Sequence, residues 1–359
     1  MGRMRILVAP DKFAGTLTAV QAAEAIATGW RRRAPGDELD LAPMADGGPG
    51  FVDVLHTALG GQLLAVTVRG PHGTPTPATV LLADGTAYVE AAQACGLHLS
   101  AGGPAESATT YGVGELLLAA AGAGAERVVV GLGGSGTNDG GAGLLAALGA
   151  TADRPLDAGP AGLAGITRVA LPAYPLPLVA ATDVDNPLTG LFGATKVFGP
   201  QKGIAEDRLP VLDGWLEELA VATDRRLALA KGAGAAGGLG FALLLLGATR
   251  EPGIGLVADA VGLPQRARQA DLVITGEGAF DFSSRSGKVP YGVAEIAAEA
   301  VRPCVALAGQ VLVGAREMRA LGIESAYSLV ELMGEERAFG DPAGALADLA
   351  ERVARTWSR

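Results

Sequence analysis

The chain reads as an α/β protein of two domains. One is a Rossmann-like parallel-sheet domain built from both chain ends; the other is an inserted α/β domain, with a cleft between them. Three observations predict this. Both ends alternate short apolar runs with helical runs joined by brief glycine turns, the pattern of a parallel sheet covered on both faces. The length, 359 residues, suits two domains or one large α/β unit. The middle follows another pattern, with short apolar runs at close spacing around a hairpin turn. The division drawn is 1–62 with 270–359 for the first domain and 63–269 for the insert.

The elements follow in order. Residues 5–9 form a short strand ending at Pro10-Asp11. Thr18 and Gln21 have capping-box spacing and open a helix. Its apolar positions Val20, Ala23, Ala27 and Trp30 repeat at helical spacing. Arg31, Arg32 and Arg33 suit its C-terminal dipole, and Pro35-Gly36 stop it. Residues 39–43 are a second strand, and Asp46-Gly47-Gly48 leads into a helix through Phe51, Val52 and Leu55. In the insert, 63–68, 78–82 and 86–91 are strands, with Ala83-Asp84-Gly85 as a hairpin turn. Residues 128–132 form a buried strand that runs into a glycine loop, with a helix over 142–148 behind it. Residues 176–182 form a strand ending at Asp183, and 209–221 and 238–246 are helices. The stretch 154–173, rich in Gly, Pro and Ala, is an irregular excursion. Toward the end, 271–275, 304–308 and 327–330 are strands, a helix follows Lys288, and 343–357 is the last helix.

Composition narrows the function. Apolar residues make up 49% and aromatics 4%, so small side chains build the core and helices can pack closely on sheets. A net charge of −10 without a long basic run argues against nucleic acid or an anionic membrane as partner. Cys95 and Cys304 lie far apart in apolar runs and read as reduced core thiols. The apolar stretch 6–10 is too short for a signal peptide, and 239–248 is too short to span a bilayer. The expectation is a soluble, cytoplasmic protein. His56, His72 and His98 are scattered, which disfavours zinc and a Ser-His-Asp triad. A metal would be a hard cation on carboxylates.

Of 28 basic residues only five are lysines, and each sits in a glycine-bearing segment: Lys12, Lys196, Lys202, Lys231 and Lys288. A compact ammonium beside glycine-rich backbone suits phosphate oxygens. The strongest such segment is the loop 131–143, seven of whose thirteen residues are glycine. Consecutive backbone N–H groups between a strand and a helix can cradle phosphate. Within it Ser135, Thr137, Asn138 and Asp139 add donors and acceptors. Asp183 and Asp185 alternate past a strand, where a carboxylate can hold Mg²⁺ or take a hydroxyl proton. The second of them serves equally as a turn into Asn186-Pro187. Residues 276–288 place Glu277, Asp281, Ser283, Ser284 and Lys288 between a strand and a helix, without Walker A spacing. Asp11-Lys12 and Asp46-Gly47-Gly48 lie beyond the strand ends, where α/β sheets keep their ligands.

Taken together and in order, these segments resemble the bacterial glycerate kinase family, whose members phosphorylate D-glycerate with ATP. The likeness runs over essentially the whole chain. It comprises Ala9-Pro10-Asp11 with Phe13 and Gly15, Ala45 to Gly48, Gly133 to Gly141, and Asp183 with Asn186-Pro187-Leu188. It continues in Phe198 to Gly203, Gly232 to Gly238, and Thr275 to Gly278 with Asp281, Ser284, Gly287 and Lys288. Ala14, Pro49 and Ser283 depart from the family pattern. The lineage is similar to the 2-kinases; a 3-kinase, a kinase of a related hydroxy acid and a non-catalytic glycerate or nucleotide sensor are the alternatives.

The resemblance implies ATP and Mg²⁺ as cofactors, a small-molecule substrate, and a monomer or homodimer. The demands of phosphoryl transfer then distribute the roles. Gly133, Gly134, Ser135, Thr137, Asn138, Asp139 and Gly140 would receive the nucleotide phosphates. Asp183 would hold the metal, with Glu277 or Asp281 as alternatives, or act as the base. Lys288 would offset charge on the transferred group or bind the substrate carboxylate. Asp11, Lys12, Asp46, Gly47, Gly48, Asn186 and Ser284 would line the substrate cleft.

Overall fold

The computed structural model describes residues 3–13, 15–281 and 288–358. Strands are numbered along the chain. By contacts it divides into two compact units: Met1–Asp46 with Asp53–Leu59 and Ile254–Arg359, and Gly47–Val52 with Gly60–Gly253. The helices Gly253–Ala260 and Leu263–Gln269 thus group with the chain ends, although the sequence division placed them in the insert.

The first unit holds β1 (Arg5–Val8), β2 (Glu38–Leu41), β11 (Leu272–Phe280), β12 (Cys304–Val311) and β13 (Ser325–Ser328). Every pairing is parallel, in the order β13-β12-β11-β1-β2. Numbered within this sheet alone, that is the 2-1-3-4-5 order of doubly wound folds, with the switch point between β1 and β11. Ile6, Val8, Leu272, Ile274, Val305 and Leu307 fill its core with Ile26 and Trp30.

The helix Ala19–Arg33 starts where the sequence places it. The Thr18 side chain accepts from the Gln21 N–H, and the Gln21 side chain accepts from the Thr18 N–H. It packs against the last helix, Pro342–Trp357, which Asp341 caps by accepting from the Gly344 N–H. At their crossing a Cβ on Gly29 would fall 1.7 Å from the Ala347 carbonyl oxygen. Only glycine allows this approach. The expected strand over 327–330 is corrected: β13 ends at Ser328, whose hydroxyl accepts from the Glu331 N–H and starts the helix Leu329–Met333. A side-chain cap ended the strand.

The second unit carries a six-stranded sheet of β3 (Gln62–Arg69), β4 (Pro75–Ala83), β5 (Thr86–Glu90), β6 (Arg127–Gly131), β9 (Leu178–Ala181) and β10 (Thr249–Glu251). Its order is β10-β9-β6-β5-β4-β3, with β5, β6, β9 and β10 parallel and the β3–β4–β5 meander antiparallel. Asp84 and Gly85 turn β4 into β5 with φ of 47° and 73°, as a two-residue primed turn requires. A short pair, β7 (Thr151–Ala152) just before the expected excursion and β8 (Val169–Ala170) within it, closes the base of the loop. The helix Tyr111–Gly122 has no counterpart in the sequence reading. Its Ala, Leu and Gly residues lack a polar stripe, so no helical period shows.

Replacing Gly29 with Ala forces the first and last helices apart. The expected result is a loss of about 1–3 kcal/mol, read as a lower midpoint in urea unfolding with an unchanged slope. A midpoint equal to the wild type would show that the crossing accommodates a methyl group.

Candidate active site

In the first unit the end of β1 is carried past the sheet. The Asp11 N–H donates to the Gly276 carbonyl at 2.8 Å, and Thr275 Oγ1 donates to the Ala9 carbonyl at 3.0 Å. This continuation sets Asp11 beside Glu277 at the switch point, where a doubly wound sheet opens its ligand crevice. A cavity of about 380 Å³ lies there. Asp11, Lys12, Asp46, Glu277, Lys288 and Gln310 supply its polar wall, and Phe13, Leu329 and Phe339 its apolar one.

Two lysines order the carboxylates. Lys12 Nζ lies 3.4 Å from Asp11 Oδ1 and 3.7 Å from Asp46 Oδ1. Lys288 Nζ lies 3.6 Å from Glu277 Oε2 and 3.5 Å from Asp281 Oδ1. The structure therefore brings together six residues singled out from the sequence: Asp11, Lys12, Asp46, Glu277, Asp281 and Lys288. Ser284, with Ala14 and Ser283, lies outside the described residues.

Asp11 is 6% exposed. Burial pushes its carboxyl up to about 7, against the pull of Lys12 and its N–H, with Asp46 and Glu277 adding to the rise. Such a group passes between acid and carboxylate near neutral pH, as a general base should.

The glycine loop of the second unit follows β6. A Cβ on Gly131 would lie 2.5 Å from the Gly47 carbonyl oxygen, and one on Gly133 2.5 Å from Gly48 Cα. The Gly133 N–H donates to the Gly47 carbonyl at 3.0 Å. Gly47 and Gly48, expected against substrate, thus form the backbone surface on which the loop lies. Pro49, a departure from the family pattern, abuts Gly134: a Cβ there would meet its Cδ at 2.6 Å. Gly140, with φ of 66°, donates its N–H to the Gly237 carbonyl.

Asp139 is fully buried, and its placement revises the expectation of phosphate contact. Its Oδ2 accepts from the Thr110 N–H at 2.8 Å, the Thr110 hydroxyl at 2.9 Å and the Gly143 N–H at 3.1 Å; Oδ1 accepts from the Gly141 N–H at 3.0 Å. The carboxylate takes the N–H groups at the start of the short helix Ala142–Ala147, the donors expected to meet phosphate. Burial nevertheless raises its pKa, against those four donors. Asn138 is also buried, its Nδ2 donating to Thr195 Oγ1 at 2.9 Å, while its Oδ1 has no partner among the described residues.

Ser135 and Thr137 lie over a side chain to which the sequence assigned no individual role. Lys202 Nζ donates to the Thr137 carbonyl at 2.6 Å and to Ser135 Oγ at 3.2 Å. The available signal was its place in a glycine turn, shared with four other lysines.

Asp183 is half-buried two residues beyond β9, the strand paired with β6, and so leaves the sheet at the same end as the glycine loop. Asp185 is instead an exposed ion-pair partner, 3.0 Å from Lys231 Nζ and 2.6 Å from Arg250, and the Lys231 hydrogen bond lowers its pKa. Asn186 braces the following turn through Nδ2 to the Phe192 carbonyl at 2.8 Å. Among the described residues no three Asp, Glu, His or Cys side chains converge as a metal cage, and no helix is long and apolar enough to cross a membrane.

Residues 6–358 match the model of the glycerate kinase family. The chain belongs to the glycerate kinase family. It is 43% identical to the glycerate kinase of Bacillus subtilis (strain 168), over 91% of this chain and 90% of that one. Identity to the glycerate 2-kinase of Escherichia coli (strain K12) is 37%, over 92% of each. A crystal structure of a Salmonella typhimurium LT2 protein assigned as glycerate kinase 2 superposes with a TM-score of 0.80 at 36% identity, covering 99% of this chain and 98% of that one. As a member of a kinase family, the chain is a phosphotransferase.

The Asp11 shift predicts a pH dependence. Its folded pKa of about 7 lies above the ordinary 3.8, so its favourable contribution is complete below pH 3.8 and is lost as pH rises toward 7. Asp11→Asn removes that loss. The variant should gain up to about 4 kcal/mol over wild type at pH 8, and less than about 1 kcal/mol at pH 4, in paired thermal melts. An equal effect at both values would mean that Asp11 ionises as an ordinary carboxylate.

Proposed function

We propose that the chain transfers the γ-phosphoryl group of ATP to D-glycerate, releasing ADP and 2-phosphoglycerate. The observation that carries this is the switch-point cavity of the first unit, where the buried Asp11 carboxyl stands beside Lys12 and Lys288. A small hydroxy acid needs an acceptor for its hydroxyl proton and cations for its carboxylate, and this cavity offers both. The substrate oxygen attacks the γ-phosphorus while the bond to the β–γ bridging oxygen breaks and its electron pair leaves on ADP. Asp11 takes the hydroxyl proton. Lys12 and Lys288 hold the substrate carboxylate and offset charge on the transferred group.

The nucleotide phosphates are assigned to the loop from Gly133 to Asn138, with Asp139 fixing its shape from beneath. Asp183 is assigned to Mg²⁺ and not to the base, because it leaves a strand adjacent to the one that carries the loop. Glu277 and Asp281 already share the Lys288 ammonium. Mg²⁺ needs only one or two protein carboxylates, since water and phosphate oxygens complete its shell, and when bound it neutralises phosphate charge.

ADP release should be measured with ATP, Mg²⁺ and D-glycerate, and the product then offered to enolase alone. Direct formation of phosphoenolpyruvate is the expected outcome. ADP release without it would indicate 3-phosphoglycerate, and no ADP release would overturn the choice of acceptor. Asp11→Asn should lower turnover roughly 10²- to 10⁴-fold. Asp183→Asn should lower kcat without changing the melting midpoint, and wild-type turnover in that variant would remove its assigned role.

A further inference from the structure

The second unit holds a buried cation that, among the described residues, forms no ion pair with a carboxylate. Lys202 is 8% exposed, in a turn closed by Gly203 at φ of 82°. Its ammonium has three protons and makes two hydrogen bonds, both to neutral oxygens: the Thr137 carbonyl and Ser135 Oγ. Among the described residues it is in no ion pair with an Asp or Glu within 4 Å. Asp139 acts on it only at a distance, and its carboxylate is already held by four donors. Burial lowers the Lys202 pKa to about 8, with Cys95 and Asp139 opposing the fall. Burying an ammonium without a counter-ion is unfavourable, and a fold retains such an arrangement most readily where an anion completes it. The helix behind the loop does not offer an anion its Gly141 and Gly143 N–H groups, because the Asp139 carboxylate accepts from both.

We infer that Lys202 is the charged residue of an oxyanion site on the Gly133–Asn138 loop, holding the phosphate tail of a nucleotide. The inference rests on the kinase reading above for the identity of the nucleotide, and not for the oxyanion. Lys202 supplies the charge from beneath while its bonds to Ser135 and Thr137 keep the loop in its receiving shape. A purely structural lysine would need only those two bonds, and a neutral donor would serve as well.

Lys202→Gln keeps a donor and removes the charge. In the full-length protein, calorimetry with inorganic tripolyphosphate and ADP should show roughly 10- to 100-fold weaker binding, with adenosine binding unchanged and KM rising for ATP and not for glycerate. Equal loss for adenosine and ADP, or unchanged tripolyphosphate binding, would overturn the charge role. A rise in KM for glycerate alone would also overturn it, by giving the cation to the substrate carboxylate. Should Lys202→Gln fail to fold, the wild type decides: tripolyphosphate must raise its melting midpoint, and no rise refutes the site. Lys202-dependent tripolyphosphate binding without glycerate turnover would sustain this inference while removing the kinase reading, so the two fail separately.

Discussion

The parallel pairing of β1 with β11 is the constraint on which the first unit depends. It aligns Ile6 with Leu272 and Val8 with Ile274, joining segments more than 260 residues apart in sequence. Such a closure has a large entropic cost, yet that cost grows only with the logarithm of loop length. A long insert is therefore tolerable once the joined strands bury enough apolar surface. Ile6, Val8, Leu272 and Ile274 supply it, all at the centre of one core. The same pairing makes the topological switch, because chain crossing from β1 to β2 goes one way and chain returning to β11 goes the other. The place of Asp11 beside Glu277 follows directly.

In the second unit, order is imposed on the glycine loop by partners of opposite charge. Asp139 gathers four donors beneath it, and Lys202 gathers two acceptors. The glycines permit the approach; these side chains fix it. Gly131 and Gly133 lie so close to Gly47 and Gly48 that any Cβ would collide with backbone. Glycine abundance in this segment reflects backbone-on-backbone packing as much as access for a ligand.

Much of this was legible in the sequence. The Thr18–Gln21 capping box, the glycine loop after a buried strand and the clustering of Asp11, Asp46, Glu277 and Lys288 near strand ends all rest on local rules of spacing. What was not legible depends on direction or on distant partners. An aspartate in a glycine loop reads the same whether it faces a ligand or turns inward, and two of the four donors that hold Asp139 inward come from Thr110, 29 residues away. Lys202 has the same local signature as Lys231, yet one is buried beneath a loop and the other is an exposed ion-pair partner. The helix Tyr111–Gly122 escaped because a helix buried on most of its surface carries no amphipathic period.

The contact between Gly29 and Ala347 also bears on folding rate. The helices it joins, Ala19–Arg33 and Pro342–Trp357, lie more than 300 residues apart in the sequence. Helix pairs ordinarily form fast because their contacts are local, whereas a contact of high sequence separation must meet its loop-closure entropy before it is rewarded. This crossing therefore raises the contact order of the chain and gives a helix pair the slow-forming character usually met in non-local strand pairing.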